Sequence, residues 1–200
     1  MRILAVIGAL AIIGAIAAAV FFFGGYYNVA ATEPDLGIVH WALVQIRTAS
    51  IDRHAKESPP AGYDDPAKIQ EGARQYSVIG CVNCHGVPMA PPSPPTWAKF
   101  SEGLHPDPPG LKELADKVTP AQLFWVIKNG INMTGMPSFA GSAKDEDLWS
   151  IVAFVKKLPI ISEADYRSWT ATPPATPPAP EPSPTPATAP TATPTPTPSK

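Results

Sequence analysis

The chain is 200 residues long, with 15 Lys and Arg against 17 Asp and Glu and a formal net charge of −2. That balance gives no sign of the basic face that nucleic-acid binding requires. It also excludes strong long-range steering of a charged partner, because residues 61–169 carry 10 basic and 12 acidic side chains. Length alone fits one domain, but the composition is uneven along the chain.

Residues 3–32 contain no charge, and residues 3–23 are almost wholly apolar. As a helix, those 21 residues suffice to cross a hydrocarbon core of about 30 Å. Arg2 before the run, with Glu33 and Asp35 after it, gives an inside N-terminus. A cleaved signal peptide ending at the small residues Ala17, Ala18 and Ala19 is the competing reading. The apolar run continues through Phe21, Phe22 and Phe23, and Tyr26 and Tyr27 follow as interfacial aromatics. A retained transmembrane anchor over residues 1–31 is therefore expected.

Residues 32–60 are expected to form a helical stalk. Val39, Leu43 and Ile46 recur at helical spacing, and Arg47, Arg53 and Lys56 gather towards the far end. The stalk would lift the following domain off the bilayer, with docking on a membrane partner as the alternative. His40 and His54 are expected to be plain polar residues of this stalk.

A domain is expected over residues 61–169. Asp65 and Pro66 pair an N-cap with a proline at the first helical position, and Ile69, Ala73 and Tyr76 recur at helical spacing until Gly80. Immediately after stands Cys81-Val82-Asn83-Cys84-His85, which holds both cysteines of the chain. C-x-x-C-H is the attachment sequence of a c-type haem. Each thiol adds to one haem vinyl group, the two-residue spacer suits their separation, and His85 places an imidazole on the iron. A thioredoxin-like dithiol needs a βαβ setting, which a helix before and a Pro-rich loop after do not provide. A structural zinc site wants a second ligand pair, and a disulfide across so small a loop would constrain the unfolded chain little. One covalent haem c on Cys81 and Cys84 is the expected cofactor.

Further on, residues 111–117 read as a short helical piece. Thr119-Pro120-Ala121-Gln122 is a capping box opening a helix whose apolar face is Leu123, Val126 and Ile127, with Gly130 as its C′ residue. The last helix opens near Ser142 with Asp145, Glu146 and Asp147 in its first turn. It buries Leu148, Ile151, Val152 and Val155 and closes at Lys156 and Lys157 before Pro159. No alternating strand pattern appears, so the domain is all-α, and a haem in its middle supplies apolar surface that a short chain otherwise lacks. Residues 170–200 contain 12 prolines among Ala and Thr and are expected to form a disordered, polyproline-like tail.

An electron carrier needs a second iron ligand opposite His85. Met136, in Thr134-Gly135-Met136-Pro137-Ser138-Phe139, lies 51 residues after His85, far enough for the chain to pass round the porphyrin. A thioether favours reduced iron and raises the potential; Gly135 would allow close backbone approach and Pro137 would stiffen the loop. Met133, His105 and an open site are the alternatives, and an open site would point to a haem sensor or peroxidase. Met89 stands too near His85 to reach the far face easily.

With C-x-x-C-H, a capped helix, a G-M-P loop and a final amphipathic helix in this order, the chain resembles a class I c-type cytochrome in its membrane-anchored bacterial monohaem form. The resemblance covers about residues 66–160 and is specific at the CVNCHG and TGMPSF segments. It implies a small helical fold around one covalent haem, with Cys81 and Cys84 as thioether sites and His85 and Met136 as axial ligands. It implies a periplasmic haem domain on a single-pass inner-membrane anchor, and a redox donor and acceptor as partners, possessing no nucleic acid and no small-molecule substrate of its own. It further implies a glycine of the first helix packed on an aromatic of the last, for which Gly72 and Trp149 are the candidates. A proline carbonyl should accept a hydrogen bond from the ligand imidazole, with Pro88, Pro91, Pro92, Pro94 and Pro95 as candidates. Trp97 and Trp125 are candidate donors to a haem propionate, against ordinary core packing. The expected function is single-electron transfer between respiratory partners, with a fixed subunit of a membrane oxidase or dehydrogenase as the alternative.

Overall fold

The computed structural model describes residues 2–87 and 101–171, and among these every regular element is a helix. Met89, Trp97 and the prolines between residues 88 and 95 lie outside the described residues, as does the tail from residue 172. Helix α1 (Arg2–Phe23) is exposed along its whole length, with a mean hydropathy of 2.8 over its best window. It is long and apolar enough to cross a membrane, although a signal sequence meets the same description. Its last turn gathers Phe21, Phe22 and Tyr27 into an aromatic cluster, and the Tyr27 hydroxyl donates to Asp35 Oδ1 at 2.9 Å.

Helix α2 (Gly37–His54) does not stand clear of the domain as a free stalk would. Its C-terminal end is fastened to the capped helix, numbered α6 below. Gln122 Nε2 donates to Asp52 Oδ1 at 2.6 Å, Lys128 pairs with Glu57 at 3.6 Å, and the His54 ring stacks on Trp125. His54 is therefore more than a plain polar residue, and Trp125 is turned to this contact. The three links join polar groups about 70 residues apart in sequence, so helical periodicity could not reveal them.

The core forms where α3 (Pro66–Val78) crosses α7 (Asp145–Lys157). Between them come the short turns α4 (Val82–His85) and α5 (Leu111–Leu114), and then α6 (Pro120–Asn129). Gly72, Ala73 and Tyr76 of α3 are buried against a continuous buried run from Leu148 to Val155. At the crossing, a Cβ on Gly72 would lie 1.9 Å from the Ser150 carbonyl oxygen and 2.9 Å from Phe154 Cβ. The expected Gly72–Trp149 contact is thus corrected to Ser150 and Phe154. Residues 150 and 154 share one helix face, whereas Trp149 lies about 100° round the helix and stacks on Phe124 at 4.1 Å.

Local signals explain most helix ends. The capping box at α6 is complete: Gln122 N donates to Thr119 Oγ1 at 3.2 Å, and Thr119 N donates to Gln122 Oε1 at 2.7 Å. Helix α7 starts at Asp145 rather than near Ser142, because residues 139–143 are taken up by turns closing on the Phe139 carbonyl. Its acidic first turn and basic last turn suit the helix dipole. Lys156 Nζ also donates to the Val118 and Ala115 carbonyls, which ties the end of the α5 segment to the core. Asp65 sits at the N-cap of α3 without a side-chain hydrogen bond to it.

One further helix, α8 (Glu163–Ala171), was not expected, and it carries the folded chain two residues past the expected boundary at 169. Tyr166 is buried, stacks on Phe154, and exchanges a 2.9 Å hydrogen bond with Ser77; Arg74 Nε donates to the Trp169 carbonyl at 3.1 Å. Apolar anchoring through only Tyr166 and Trp169 leaves too little periodicity to read.

Gly72→Ala is expected to destabilise the folded protein by about 1–3 kcal/mol or more, as overpacking against backbone does. Gly141→Ala, which meets nothing within 4 Å, should stay within about 0.5 kcal/mol. Urea unfolding of the two variants checks the difference.

Candidate functional site

Helix α3 ends by delivering the chain into one turn that holds three chemically distinctive groups. Cys81 N donates to the Tyr76 carbonyl at 3.1 Å, and His85 N donates to the Cys81 carbonyl at 2.9 Å. Residues 81, 84 and 85 stand at i, i+3 and i+4, so both thiols and the imidazole lie towards one side of this turn. Neither cysteine is in a disulfide, and both are half-buried. Burial pushes the Cys81 thiol up to about 11, so it is a protonated thiol at neutral pH rather than a reactive thiolate. That is the opposite of what a dithiol oxidoreductase needs.

His85 is oriented by a backbone carbonyl: its Nδ1 lies 3.2 Å from the Pro109 oxygen, which can only accept, so Nδ1 carries the proton. This tautomer leaves the Nε2 lone pair free for a metal. Burial lowers the imidazole pKa, with the Pro109 bond opposing that shift, so the ring is neutral and ready to ligate. The candidate acceptors Pro88, Pro91, Pro92, Pro94 and Pro95 lie outside the described residues; the carbonyl on His85 is that of Pro109, 24 residues on. Behind the turn, the buried Tyr76 hydroxyl donates to the Gly86 carbonyl at 2.7 Å. Burial raises the pKa of that phenol, which keeps it a donor.

Met136 sits in a loop fastened to the end of α6. Phe139 N donates to the Ile127 and Lys128 carbonyls, Ala140 N and Ser138 Oγ both donate to the Lys128 carbonyl, and Ile131 N donates to the Met136 carbonyl at 3.2 Å. Within the loop, Met136 N donates to Thr134 Oγ1 at 3.1 Å. Within the protein itself, a close backbone approach occurs at Gly130. Gly130 has φ +70, and a Cβ there would lie 2.8 Å from the Met136 oxygen and 2.7 Å from the Pro137 carbonyl carbon. Gly135 faces only the flexible Leu104 side chain.

The loop turns its two methionines in different directions. Met136 is half-buried and packs on the core, whereas Met133 is 83% exposed. His105 is exposed, with Nε2 3.5 Å from Asp35 Oδ2. Cys81, Val82, Val87, Leu111, Leu114 and Met136 all pack on the same core cluster. Among the described residues, no group of three or more His, Cys, Asp or Glu could hold a metal ion by itself. Two unpaired thiols, a neutral imidazole of fixed tautomer, a half-buried thioether and an apolar surround therefore fit a covalently held haem.

Tyr76→Phe leaves the Gly86 carbonyl without its buried donor. It is expected to cost about 1–3 kcal/mol of stability, read by urea unfolding of the pigmented protein.

Comparison with known proteins gives one positive finding. Residues 67–155 match a family model described as cytochrome C oxidase, cbb3-type, subunit III. The matched stretch begins at the start of α3, ends within α7 and contains Cys81, Cys84, His85 and Met136. No curated protein and no solved structure matches the chain.

Proposed function

We propose, on the premise that residues 67–155 form a c-type cytochrome domain, that the protein is a membrane-tethered monohaem cytochrome passing single electrons between respiratory partners. The observation that carries this reading is the turn bearing Cys81, Cys84 and His85, with the His85 Nδ1 held by the Pro109 carbonyl. Cys81 and Cys84 would hold one haem c through thioether links, and His85 and Met136 would ligate its iron. The bound haem supplies the one-electron couple.

The rest is the work of this chain's own residues. The Pro109 carbonyl keeps the His85 ring in one orientation and increases its basicity. Met136 contributes a soft sulfur, which raises the reduction potential. Leu111 and Leu114, which pack on the same core cluster as Cys81 and Met136, would help keep water away. The domain organisation that fits this role is an anchor over residues 1–31, a docked helical segment over 32–60, a haem domain from 61 and a Pro-rich tail. Taking in the final helix, Glu163–Ala171, this domain would end at 171 rather than 169. Helix α1 as a single inner-membrane span would place the haem domain in the periplasm, where covalent haem attachment takes place.

The description of the matched family favours a second reading, in which the protein is a fixed subunit of a membrane oxidase. Purification in mild detergent separates the two. A free carrier runs as a small pigmented species, whereas a subunit brings down a larger complex containing further redox centres.

Met136→Ala is expected to open the iron, so that the reduced protein goes from negligible to rapid carbon monoxide binding. Met133→Ala should leave the reduced protein closed. Replacing Cys81 and Cys84 by Ser should release any retained pigment into acidified acetone, which the natural sequence resists. Pigment extracted from the unmodified protein would overturn the covalent assignment.

A further inference from the structure

Helix α2 forms a strap held at both ends. Asp35, just before it, meets His105, and Asp52, near its C-terminus, meets Gln122. Between the two attachments lies a cavity of about 880 Å³, within the range that takes a small organic ligand. Its roof is Val39, Leu43, Val44 and Ile51 of the strap, and its floor includes Trp125, Ile131 and Met133. The cavity is distinct from the turn that carries Cys81, Cys84 and His85, none of which lines it.

Its surroundings restrict what can occupy it. Phe22, in the last turn of α1, and Tyr27 also line it, so the cavity is continuous with the apolar span. Every residue of α1 from Ile3 to Phe23 is exposed; in the anchored reading that surface is covered by bilayer, and the molecules at the cavity's mouth are lipids. The wall is mainly apolar, yet it includes Arg47 and Glu33, neither of which enters an ion pair among the described residues, and Asp35, which is engaged by His105 and Tyr27. An apolar space with an uncommitted guanidinium and an uncommitted carboxylate at its edge suits a hydrocarbon chain attached to a zwitterionic phosphate headgroup.

We propose that this cavity holds an acyl chain of a membrane phospholipid, with the lipid phosphate on Arg47. The proposal rests on the reading of α1 as a retained anchor. Lipid in this position would join three elements: the end of the anchor, the strap, and the 131–134 stretch that leads into Met136.

The test uses the full-length haem-loaded protein in bilayer discs of phosphatidylcholine containing a small fraction of phosphatidylcholine with a photoactivatable group near the end of one acyl chain. After irradiation, adducts are mapped by peptide mass spectrometry. Adducts are expected in α1 and also in residues 129–134. Arg47→Ala should lower the yield at 129–134 by about fivefold while leaving that on α1 unchanged. Val44→Trp, which fills the roof, should abolish the 129–134 adduct in protein that keeps its colour. Adducts on α1 alone would overturn the lipid site and leave the anchor standing. No adducts on α1 would overturn the anchor reading and this proposal with it. Displacement of the 129–134 adduct by an isoprenoid quinone at amounts that an equal quantity of phosphatidylcholine cannot match would overturn the phospholipid assignment in favour of a quinone.

Discussion

The contact on which the rest of this domain depends is the crossing of α3 and α7, where Gly72 lies directly on the Ser150 carbonyl. Without a side chain at that point, the two backbones approach closely enough for Ala73 and Tyr76 to be enclosed by Ile151, Phe154 and Val155. The approach also sets the direction in which α3 leaves the core. Cys81 follows α3 directly, its amide bonded to the Tyr76 carbonyl, so the position of both thiols and of His85 derives from the same crossing. An error of an ångström there would be transmitted to the haem site, because a close-packed interior has little room to absorb it.

From that core, the two ligand candidates are held in different ways. His85 lies on a helical turn and is oriented by one carbonyl from a distant loop, that of Pro109. Met136 lies on an irregular loop and is held by several donors converging on the last carbonyls of α6. Helix C-termini leave such carbonyls without intrahelical partners, so α6 can end and the loop can be stabilised by the same hydrogen bonds. Gly130 makes this possible by admitting the loop backbone at the point where α6 stops.

This arrangement explains which features were legible in the sequence. The attachment motif was visible because its chemistry requires particular side chains at fixed, short spacing. The capping box was visible for the same reason, and it is present in full. The all-helical character also followed from patterns lying within single segments. What could not be read was carried by backbone or by distance. The Pro109 carbonyl has no residue signature, since any residue could supply it. The partner of Gly72 depends on rotation about α7, so a choice one residue away lands on a different face. The docking of α2 rests on Asp52, Glu57 and Gln122, polar residues that look solvated until the fold brings them together.

The near neutrality of residues 61–169 bears on how a carrier of this kind would meet its partners. With 10 basic and 12 acidic side chains, the domain has little long-range field to guide an encounter. Tethering to a membrane would accomplish by geometry what charge does not. Anchored by α1, the domain would search a membrane plane rather than a volume, which raises its effective concentration near any partner held in the same bilayer. A strap docked on α6 would narrow the search further, because it would limit the orientations the domain can take. If α1 is a retained anchor, the Asp52–Gln122 bond and the His54–Trp125 stack would have a consequence beyond stability: they would help set which face of the domain is presented along the membrane.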